Sequence, residues 1–457
     1  MKSEKIVKAR RRAWVHWTFL TLFLIGIPSF AHADINDILL KFNPYLTVQE
    51  AYSDNILLSN STIGNKLNDY ITTVYPGLGF SDTGLGTYGI NLDFIAGYNY
   101  YAKNHDFSYF SPVGNLDAWY AMTSNLTFRV RDYVVRSDAA REEIGAPDAS
   151  LDQLTLSTVT GVHAIYVRNV VEPSVEYHFG GEDLLSIRYE NMTYHNQNSL
   201  YENSQENMVN PRLNYWFDIR NGVVLEYLLT FGYFATSPNL VGNEARARYI
   251  YRFDPRLSLF GEYIFMRYNF DSPGVDYDVH NPSLGIEYKF SPTLTGTAQG
   301  GYYWEIPVQG TTEKGPFFLL RLQQKTEKTT YTVSAQGGYT QDYFTAENLG
   351  FARYYTAYGT ITHSLTERLI LAATGSVERP TLSSGEKDWI WIVRGGPYYS
   401  LTRWLSIFLE GSCMMDHSSI MGLGYKEYRI MAGITLGHPT SRQTIMGQPT
   451  FLQRLIP

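Results

Sequence analysis

The chain has 457 residues, 15% of them aromatic, with 37 Tyr and a single Cys. A mean hydropathy of -0.23 is too polar for a bundle of membrane helices, and one cysteine excludes an internal disulfide. The formal net charge of -7 becomes more negative once the basic N-terminal segment is left out, which argues against a nucleic-acid partner.

The first 33 residues have the three-part pattern of a secretory signal peptide. A basic cluster within 2–12 precedes the apolar run 13–30, and Ala31-His32-Ala33 follows. This pattern predicts a signal peptide at 1–33, cleaved between Ala33 and Asp34. An uncleaved membrane anchor is the alternative.

Residues 280–306 best show the unit from which the rest of the chain is built. Apolar and polar residues alternate strictly along 282–290, a turn follows at Ser291-Pro292-Thr293, and the alternation resumes along 294–305. Alternation with a period of two on both sides of a tight turn predicts a β-hairpin with one apolar and one polar face.

Similar alternating segments follow one another along the chain, without a linker or an amphipathic helix between them. In order they are 42–58, 68–80, 86–102, 107–123, 125–137, 168–179, 183–196, 204–217, 222–234, 242–253, 256–269, 278–290, 293–305, 314–325, 329–340, 351–364, 367–378, 387–400, 403–415 and 425–437. They favour one all-β body at 34–457, with a short lead-in before the first strand and a tail at 438–457.

The connections between these segments alternate in length. Short ones such as 254–255 and 291–293 are followed by longer ones such as 270–277 and 306–313. Tight turns at one end and longer loops at the other are typical of an outer-membrane barrel. The sequence therefore predicts a transmembrane antiparallel up-and-down β-barrel of about 20 strands, within roughly 18–22, in a Gram-negative outer membrane.

The charged face of each strand is expected to point inward, because a lysine or arginine facing lipid near the midplane would cost about 2–4 kcal/mol. Leu284, Ile286 and Tyr288 should then face lipid, and an arginine should impair assembly at Ile286 but not at Gln299. The residues predicted to line the pore are Arg129, Arg131, Arg188, Arg212, Glu226, Arg246, Arg248, Arg252, Glu262, Glu287, Lys289, Gln299, Arg321, Arg394, Glu410 and Arg429.

Two interpretations of the inward charges stay open. Basic and acidic residues on the inner face are balanced in number, which argues against a strongly ion-selective pore. Either they form cross-strand ion pairs that support the wall, or they line a polar path for a large neutral or weakly charged solute such as a sugar chain. Inward aromatic residues such as Trp119 and Tyr303 would either stack on sugar rings or pack the wall. Aromatic girdles at the membrane interfaces are predicted near strand ends, at Tyr302, Tyr303, Trp304, Trp389, Trp391, Tyr398, Tyr399 and Trp404.

The longest connection, 137–167, begins with a charged stretch that lacks strand alternation. Loops of this length are usually functional or disordered. Our hypothesis is that this loop folds inward and narrows the pore, and the alternative is a disordered surface loop. The candidate constriction residues are Arg141, Glu142, Glu143, Asp148 and Asp152.

No residue pattern points to catalysis, a cofactor or a bound metal. The histidines are scattered without metal-ligand or triad spacing, and Asp416-His417-Ser418 is the nearest approach to a constellation. The sequence therefore predicts a protein that is not an enzyme and that needs no cofactor or metal.

The first strand carries a family resemblance. It begins Phe42-Asn43-Pro44-Tyr45-Leu46 and leads into Glu50-Ala51-Tyr52-Ser53-Asp54-Asn55-Ile56. This opening resembles the Putative beta-barrel porin 2 family, which includes outer-membrane barrels associated with exopolysaccharide and PEP-CTERM gene clusters. The resemblance implies a porin-like channel through which a secreted polysaccharide leaves the cell, with no catalytic residues. Asp54 and Asn55 are turn formers or, alternatively, contacts for Ca²⁺ or a sugar.

Three functions stay open at this point. They are a channel for polysaccharide export, a general diffusion porin for small polar solutes, and a structural or adhesive barrel with a closed lumen whose outer loops bind a partner. The expected partners are outer-membrane lipid, polysaccharide or small polar solutes, and periplasmic export proteins, with no nucleic acid.

Overall fold

The computed structural model describes residues 41–60, 66–84, 86–138, 163–198, 202–342, 350–382 and 384–437. Three of the sequence predictions fall outside these residues. They are the signal peptide with its cleavage site at Ala33 and Asp34, the tail at 438–457, and the constriction residues Arg141, Glu142, Glu143, Asp148 and Asp152.

The body of the protein consists of twenty β-strands. Their bounds are β1 Phe42–Ser53, β2 Asp69–Gly84, β3 Tyr88–Tyr101, β4 Tyr109–Ala121, β5 Leu126–Asp138, β6 Ile165–His178, β7 Leu184–Asn196, β8 Ser204–Trp216, β9 Asn221–Phe234, β10 Leu240–Arg252, β11 Leu257–Phe270, β12 Tyr277–Ser291, β13 Leu294–Pro307, β14 Glu313–Lys325, β15 Thr329–Asp342, β16 Gly350–Ser364, β17 Leu369–Thr381, β18 Asp388–Ser400, β19 Leu405–Ser418 and β20 Tyr425–Gly437. A short 3-10 helix, His105–Phe107, lies between β3 and β4.

Consecutive strands pair in an antiparallel manner, and β1 pairs with β20 to close the sheet. The closing ladder runs from Tyr45–Gly437 to Ser53–Arg429. A closed sheet has no edge strand with unpaired backbone groups, which is the condition for crossing lipid. Within the described residues, no helix is long and apolar enough to cross a membrane. The predicted all-β barrel of about 20 strands is confirmed.

Connection lengths alternate around the barrel. At one end, here called the short-turn end, connections are as short as 292–293 and 326–328. At the opposite, long-connection end, the strands are separated by segments such as 54–68 and 271–276. In outer-membrane barrels the short turns lie on the periplasmic side.

Side chains on the outer face are mainly apolar. On β12, Leu284 and Ile286 point outward and are 73% and 39% exposed. Ser283, which directly precedes Leu284, points inward and is 6% exposed. A repeated Tyr-x-Phe sequence ends four even-numbered strands at the short-turn end, where its rings lie beside one another and form a girdle. The pairs are Tyr177 with Phe179, Tyr215 with Phe217, Tyr251 with Phe253, and Tyr288 with Phe290.

The girdle prediction was wrong for Tyr303 and Tyr398. They are only 2% and 9% exposed and occupy inward positions on β13 and β18, one residue out of phase with the outward Tyr302 and Tyr399. Because successive side chains on a strand point to opposite faces, nearness to a strand end does not by itself place an aromatic residue in a girdle.

Candidate functional site: the barrel interior

All residues predicted to line the pore occupy strand positions that face the barrel interior, as the alternation of exposure along each strand shows. Eight of them take part in ion pairs and hydrogen bonds that form two runs across β4 to β13, one ending at Arg246 and the other beginning at Arg248. Those outside these runs are Arg212, Arg252, Glu287, Lys289, Arg321, Arg394, Glu410 and Arg429. That these residues line a conducting pore stays a prediction.

A belt of ion pairs and amide hydrogen bonds, which we call the charge belt, crosses the inner face of β4 to β13. It begins at Asp117 on β4, whose carboxylate accepts a hydrogen bond from Arg129 Nε at 2.6 Å. Arg131 Nε lies 3.7 Å from the same carboxylate. Arg131 Nη1 also donates to Glu172 Oε1 on β6 at 2.9 Å. Each charge at this end of the belt thus has an opposite charge on a neighbouring strand.

The charge belt continues across β7 to β10 through an asparagine. Arg188 Nη1 lies 3.6 Å from Glu172 Oε2, and Arg188 Nη2 donates to Asn210 Oδ1 at 3.3 Å. Asn210 Nδ2 donates in turn to Glu226 Oε1 at 3.0 Å. Arg246 Nη1 lies 3.9 Å from Glu226 Oε2. The asparagine carries the network across β8, which has no carboxylate at that point.

The last part of the charge belt is the most deeply buried. Arg248 Nε donates to Glu262 Oε2 at 2.8 Å, and Glu262 is only 6% exposed. Gln299 Nε2 donates both to Glu262 Oε1 at 2.9 Å and to Ser283 Oγ at 2.8 Å. Gln299 is therefore a buried member of the wall rather than a side chain free in the lumen.

Because the charge belt pairs basic with acidic side chains, the described part of β4 to β13 carries no ring of side chains with one sign of charge. A strongly ion-selective pore needs such a ring, so this interior has no evident preference for cations or anions. Of the two interpretations of the inward charges, cross-strand pairing describes these contacts directly. It also leaves a wall that a neutral solute would meet without an electrostatic barrier.

The short-turn mouth carries a second charged group outside the belt. Arg252 Nη1 donates to Glu182 Oε1 at 2.8 Å, and the guanidinium lies 3.6 Å from the centre of the Trp216 ring. Gly222 also lies against that ring, since a Cβ there would come within 2.6 Å of it. The hydrogen bond from Arg252 lowers the pKa of Glu182 below its ordinary value. This pair holds charge at the mouth in a fixed position.

The inward aromatic residues singled out for sugar stacking are packed into the wall. Tyr303 is 2% exposed. The Trp119 ring lies against Gly89 on the neighbouring strand, where a Cβ would come within 2.3 Å of Nε1. Wall packing is therefore the role that the structure gives to both rings.

The part of the β15–β16 hairpin nearest the long-connection end leaves the barrel wall. The sequence analysis did not predict this feature. The ladder between β14 and β15 stops at Phe318–Gly337, whereas the ladder between β15 and β16 continues to Asp342–Gly350. Gly337 and Gly338 lie at this fork. A glycine pair inside a strand marks a bend or a close approach of backbones, so the sequence did contain a signal for this departure.

The rings of this segment pack on the inner face of β12 and β13. The Tyr339 and Tyr303 ring centres are 4.9 Å apart, and Asn281 Nδ2 donates to the Tyr339 hydroxyl at 3.3 Å. The Phe351 ring centre lies 5.7 Å from that of Tyr277 on β12. Four strand spacings of about 4.8 Å would separate β12 from β16 along the wall by roughly 19 Å. The contact therefore requires residues 338–342 and 350–352, here called the inward hairpin, to fold into the lumen, whereas Arg353 is still paired with Thr381 of β17 in the wall.

An ion pair holds the base of the inward hairpin. Arg353 Nε lies 3.0 Å from Glu313 Oε2 at the start of β14. Together with the hydrogen bond between Asn281 and Tyr339, it fixes the hairpin on two sides. The inward hairpin lies near the long-connection end, so it narrows the described lumen there.

The motif that carried the family resemblance joins the first strand to the last. Asn55 is fully buried, and its Nδ2 donates to the backbone oxygens of Ser59 at 2.9 Å and Lys426 at 3.0 Å. Its Oδ1 accepts a hydrogen bond from Ser59 N at 3.0 Å. Asp54 Oδ1 accepts one from Tyr428 N at 2.7 Å. We call these five residues the seam clasp, because they fasten the connection after β1 to β20.

The Asp416-His417-Ser418 candidate does not bring its three side chains to one face of the sheet. Asp416 and His417 are adjacent on β19, so their side chains point to opposite faces of the sheet. No group of three or more His, Cys, Asp or Glu residues in the described ranges could hold a metal ion.

The C-terminal part of the barrel matches a known family. Residues 239–438, which include β10 to β20, match the family model described as Putative beta-barrel porin 2. The resemblance noted at the first strand is thereby confirmed over a separate stretch of the chain. No curated protein sequence matches this chain.

Solved structures similar to this chain are outer-membrane-type barrels of very different sequence. Pseudomonas aeruginosa FpvA, solved with bound pyoverdines, has a TM-score of 0.51 at 10% identity, over 87% of this chain and 72% of that one. The FrpB iron transporter of Neisseria meningitidis has a TM-score of 0.49 at 8% identity, over 89% and 83% of the two chains. The siderophore receptor PirA of P. aeruginosa has a TM-score of 0.47 at 8% identity, over 87% and 80%. At this identity the likeness to FpvA shows a common fold and nothing about substrate.

Proposed function

We propose that this barrel, which matches the Putative beta-barrel porin 2 family over residues 239–438, is an outer-membrane channel through which a neutral or weakly charged polysaccharide leaves the cell. The observation that carries the proposal is the charge belt. Its carboxylates and guanidiniums are paired in two runs, from Asp117 to Arg246 and from Arg248 to Glu262, so a polymer of hydroxyl groups would meet a polar wall without a field of one sign.

The size of the barrel supports passage of a polymer. Barrels of 16–18 strands already enclose an aqueous channel, and this one has twenty. Polar groups of the inner wall such as Ser283 and Asn210 hydrogen-bond within the wall, so the surface beside the paired charges is polar and neutral. Sugar hydroxyls exchange hydrogen bonds readily with such groups.

A second candidate is a barrel with a closed lumen whose long-connection end binds a partner. The inward hairpin favours it, because Tyr339 and Phe351 pack across the lumen on β12 and β13. In the export proposal the same hairpin lies in the path and moves when polymer passes. No catalytic activity is proposed, and the proposed partners are the polysaccharide and periplasmic proteins that deliver it.

Deletion of the gene tests the export proposal in cells. Surface polysaccharide should fall and polymer should accumulate in the periplasm, and the wild-type gene supplied in trans should restore export. Unchanged surface polysaccharide would refute the proposal. Purified protein in planar bilayers then separates the remaining candidates, because a general diffusion porin conducts without any effect on polysaccharide, and a closed barrel gives no channels.

A further inference from the structure

A cluster of polar side chains interrupts the apolar outer face of the barrel on β5 to β8. It consists of Asp132, Asn169, Asn191 and Asn207, one on each of four consecutive strands; we call it the outer amide patch. The alternation on each strand places these residues outward, beside exposed neighbours such as Val134 on β5. At a similar distance from the short turns, the outer positions of β12 to β15 are apolar by contrast, as at Leu284, Ile286, Leu320 and Val333.

The four residues are contiguous across the strands. Asn169 Nδ2 donates to Asp132 Oδ1 at 2.6 Å, and Asn191 Nδ2 donates to Asn207 Oδ1 at 2.9 Å. The two pairs are linked through β7, where Thr193 lies opposite Asn169 in the ladder. The patch is thus one surface rather than scattered polar positions.

The outer amide patch lies within the depth of the apolar band. Leu126 begins β5 at the short-turn end. With a rise of about 3.3 Å per residue and a tilt of about 40°, Asp132 lies roughly 15 Å from that end along the membrane normal, inside a band about 25 Å tall. Polar groups at that depth are costly in contact with lipid and are normally turned toward protein. The patch is therefore poorly suited to a lipid-exposed wall.

We propose that the outer amide patch is the contact face between two copies of this chain in the membrane. Among the described residues, Asn207 Nδ2 and Asn169 Oδ1 have no hydrogen-bond partner, although one is a donor and the other an acceptor. A two-fold axis along the membrane normal through β7 brings Asn207 of each copy opposite Asn169 of the other. Such an isologous contact uses one patch twice, with donor meeting acceptor.

Cysteine cross-linking in native outer membranes tests this contact. The lone native cysteine is first replaced by Cys413→Ser, and Thr193→Cys then places a thiol on β7 beside the proposed axis. Leu320→Cys on the outer face of β14 is the matched control. A short bifunctional maleimide should give a covalent dimer of the chain with Thr193→Cys and none with Leu320→Cys. Adding Asn191→Leu and Asn207→Leu to Thr193→Cys should reduce the dimer at least tenfold while the barrel still shows heat-modifiable migration.

The opposite outcomes overturn the proposal. Equal cross-linking of the two cysteine variants would do so, and so would a product that mass spectrometry identifies as another protein. Native mass spectrometry of the unmodified barrel in detergent gives a second measurement if Thr193→Cys fails to assemble. Dimers are expected in that measurement. If the barrel is instead a monomer with bound lipopolysaccharide, and the double variant Asn191→Leu, Asn207→Leu loses that lipid, the patch is a lipid-binding surface. The inference is independent of the transported solute.

Discussion

Asn55 Nδ2 and the backbone oxygen of Lys426 lie 3.0 Å apart although 371 residues separate them in the chain. Every other neighbouring pair of strands is held together by the connection between them, whereas β1 and β20 have none. Bringing the two ends of so long a chain together costs more loop entropy than forming any local hairpin. The seam clasp adds hydrogen bonds at the one strand pair that has no turn to hold it.

Asn55→Ala should weaken this closure. It removes the buried side-chain hydrogen bonds to Ser59 and one of the two hydrogen bonds that the Lys426 oxygen accepts, the other of which comes from Lys66 Nζ. A buried group left unsatisfied costs about 1–3 kcal/mol. The variant should unfold at lower urea concentration in detergent micelles. Asn91→Ala is the control, because Asn91 is exposed and its side chain accepts a hydrogen bond from Ser81 within one hairpin; it should unfold near the wild-type midpoint.

The outer face can be tested on two neighbouring residues of β12. Ile286 is 39% exposed on the outer side, whereas Glu287 faces inward. Arginine at Ile286 should cost about 2–4 kcal/mol near the midplane and reduce the yield of folded barrel in the outer membrane. Arginine at Glu287 should assemble normally, and equal yields of the two variants would contradict the assignment of faces. Gln299 is a weaker control than Glu287, because its buried amide bonds Glu262 and Ser283.

The barrel and the direction of its side chains could be predicted from the sequence because both follow from local alternation. Leu284, Ile286 and Tyr288 lie outward as predicted, since a period of two leaves only one choice once the charged face must avoid lipid. Of the seam clasp, the sequence showed only the motif that contains Asp54 and Asn55. Its partners on β20 lie far along the chain, and no periodicity connects them with Asn55.

The inward hairpin should restrict current through the barrel. Tyr339→Ala with Phe351→Ala removes the rings that hold it against β12 and β13, so single-channel conductance should rise severalfold. Tyr355→Ala is the matched control, because Tyr355 belongs to the same strand pair but is exposed on the outer face. A double variant with wild-type conductance would show that the hairpin does not obstruct the path.

The Gly337-Gly338 pair signals a bend in β15, but the inward packing of the hairpin could not be predicted, because it depends on contacts between β12 and β16 that alternation does not encode. Tyr339 occupies an outward position by strict counting from Thr332 and Ser334, which are buried inside. The structure brings it to Tyr303 because the strand leaves the wall at Gly337 and Gly338. The charge belt was predictable in composition but not in pairing, since the pairing depends on the strand register.

Acid should loosen the long-connection end at Glu202. This carboxylate is 4% exposed and accepts hydrogen bonds from Ser237 N at 2.6 Å, Ser237 Oγ at 2.5 Å and Thr236 Oγ1 at 2.9 Å. Burial would raise the pKa of Glu202, but the bonds from Ser237 and Thr236 outweigh it and lower the pKa below its ordinary value.

The stabilisation from Glu202 should therefore be complete above its ordinary pKa of about 4.3 and disappear as the pH falls through the lower folded value. Glu202→Gln should lower the free energy of unfolding at pH 7 relative to the wild type. In acid the variant and the wild type should have the same free energy of unfolding. Glu327→Gln, at an exposed carboxylate in the short turn 326–328, should match the wild type at both pH values. A deficit for Glu202→Gln that persists unchanged in acid would contradict the role of the charge.

The central claim, that a charge-balanced lumen admits a neutral glycan, is tested most directly by single-channel recording with neutral oligosaccharides on the short-turn side. The charge belt predicts open channels with little ion selectivity, interrupted by blocks whose duration grows with the length of the sugar chain. Channels that never open, or currents unaffected by any length of neutral oligosaccharide, would contradict the account.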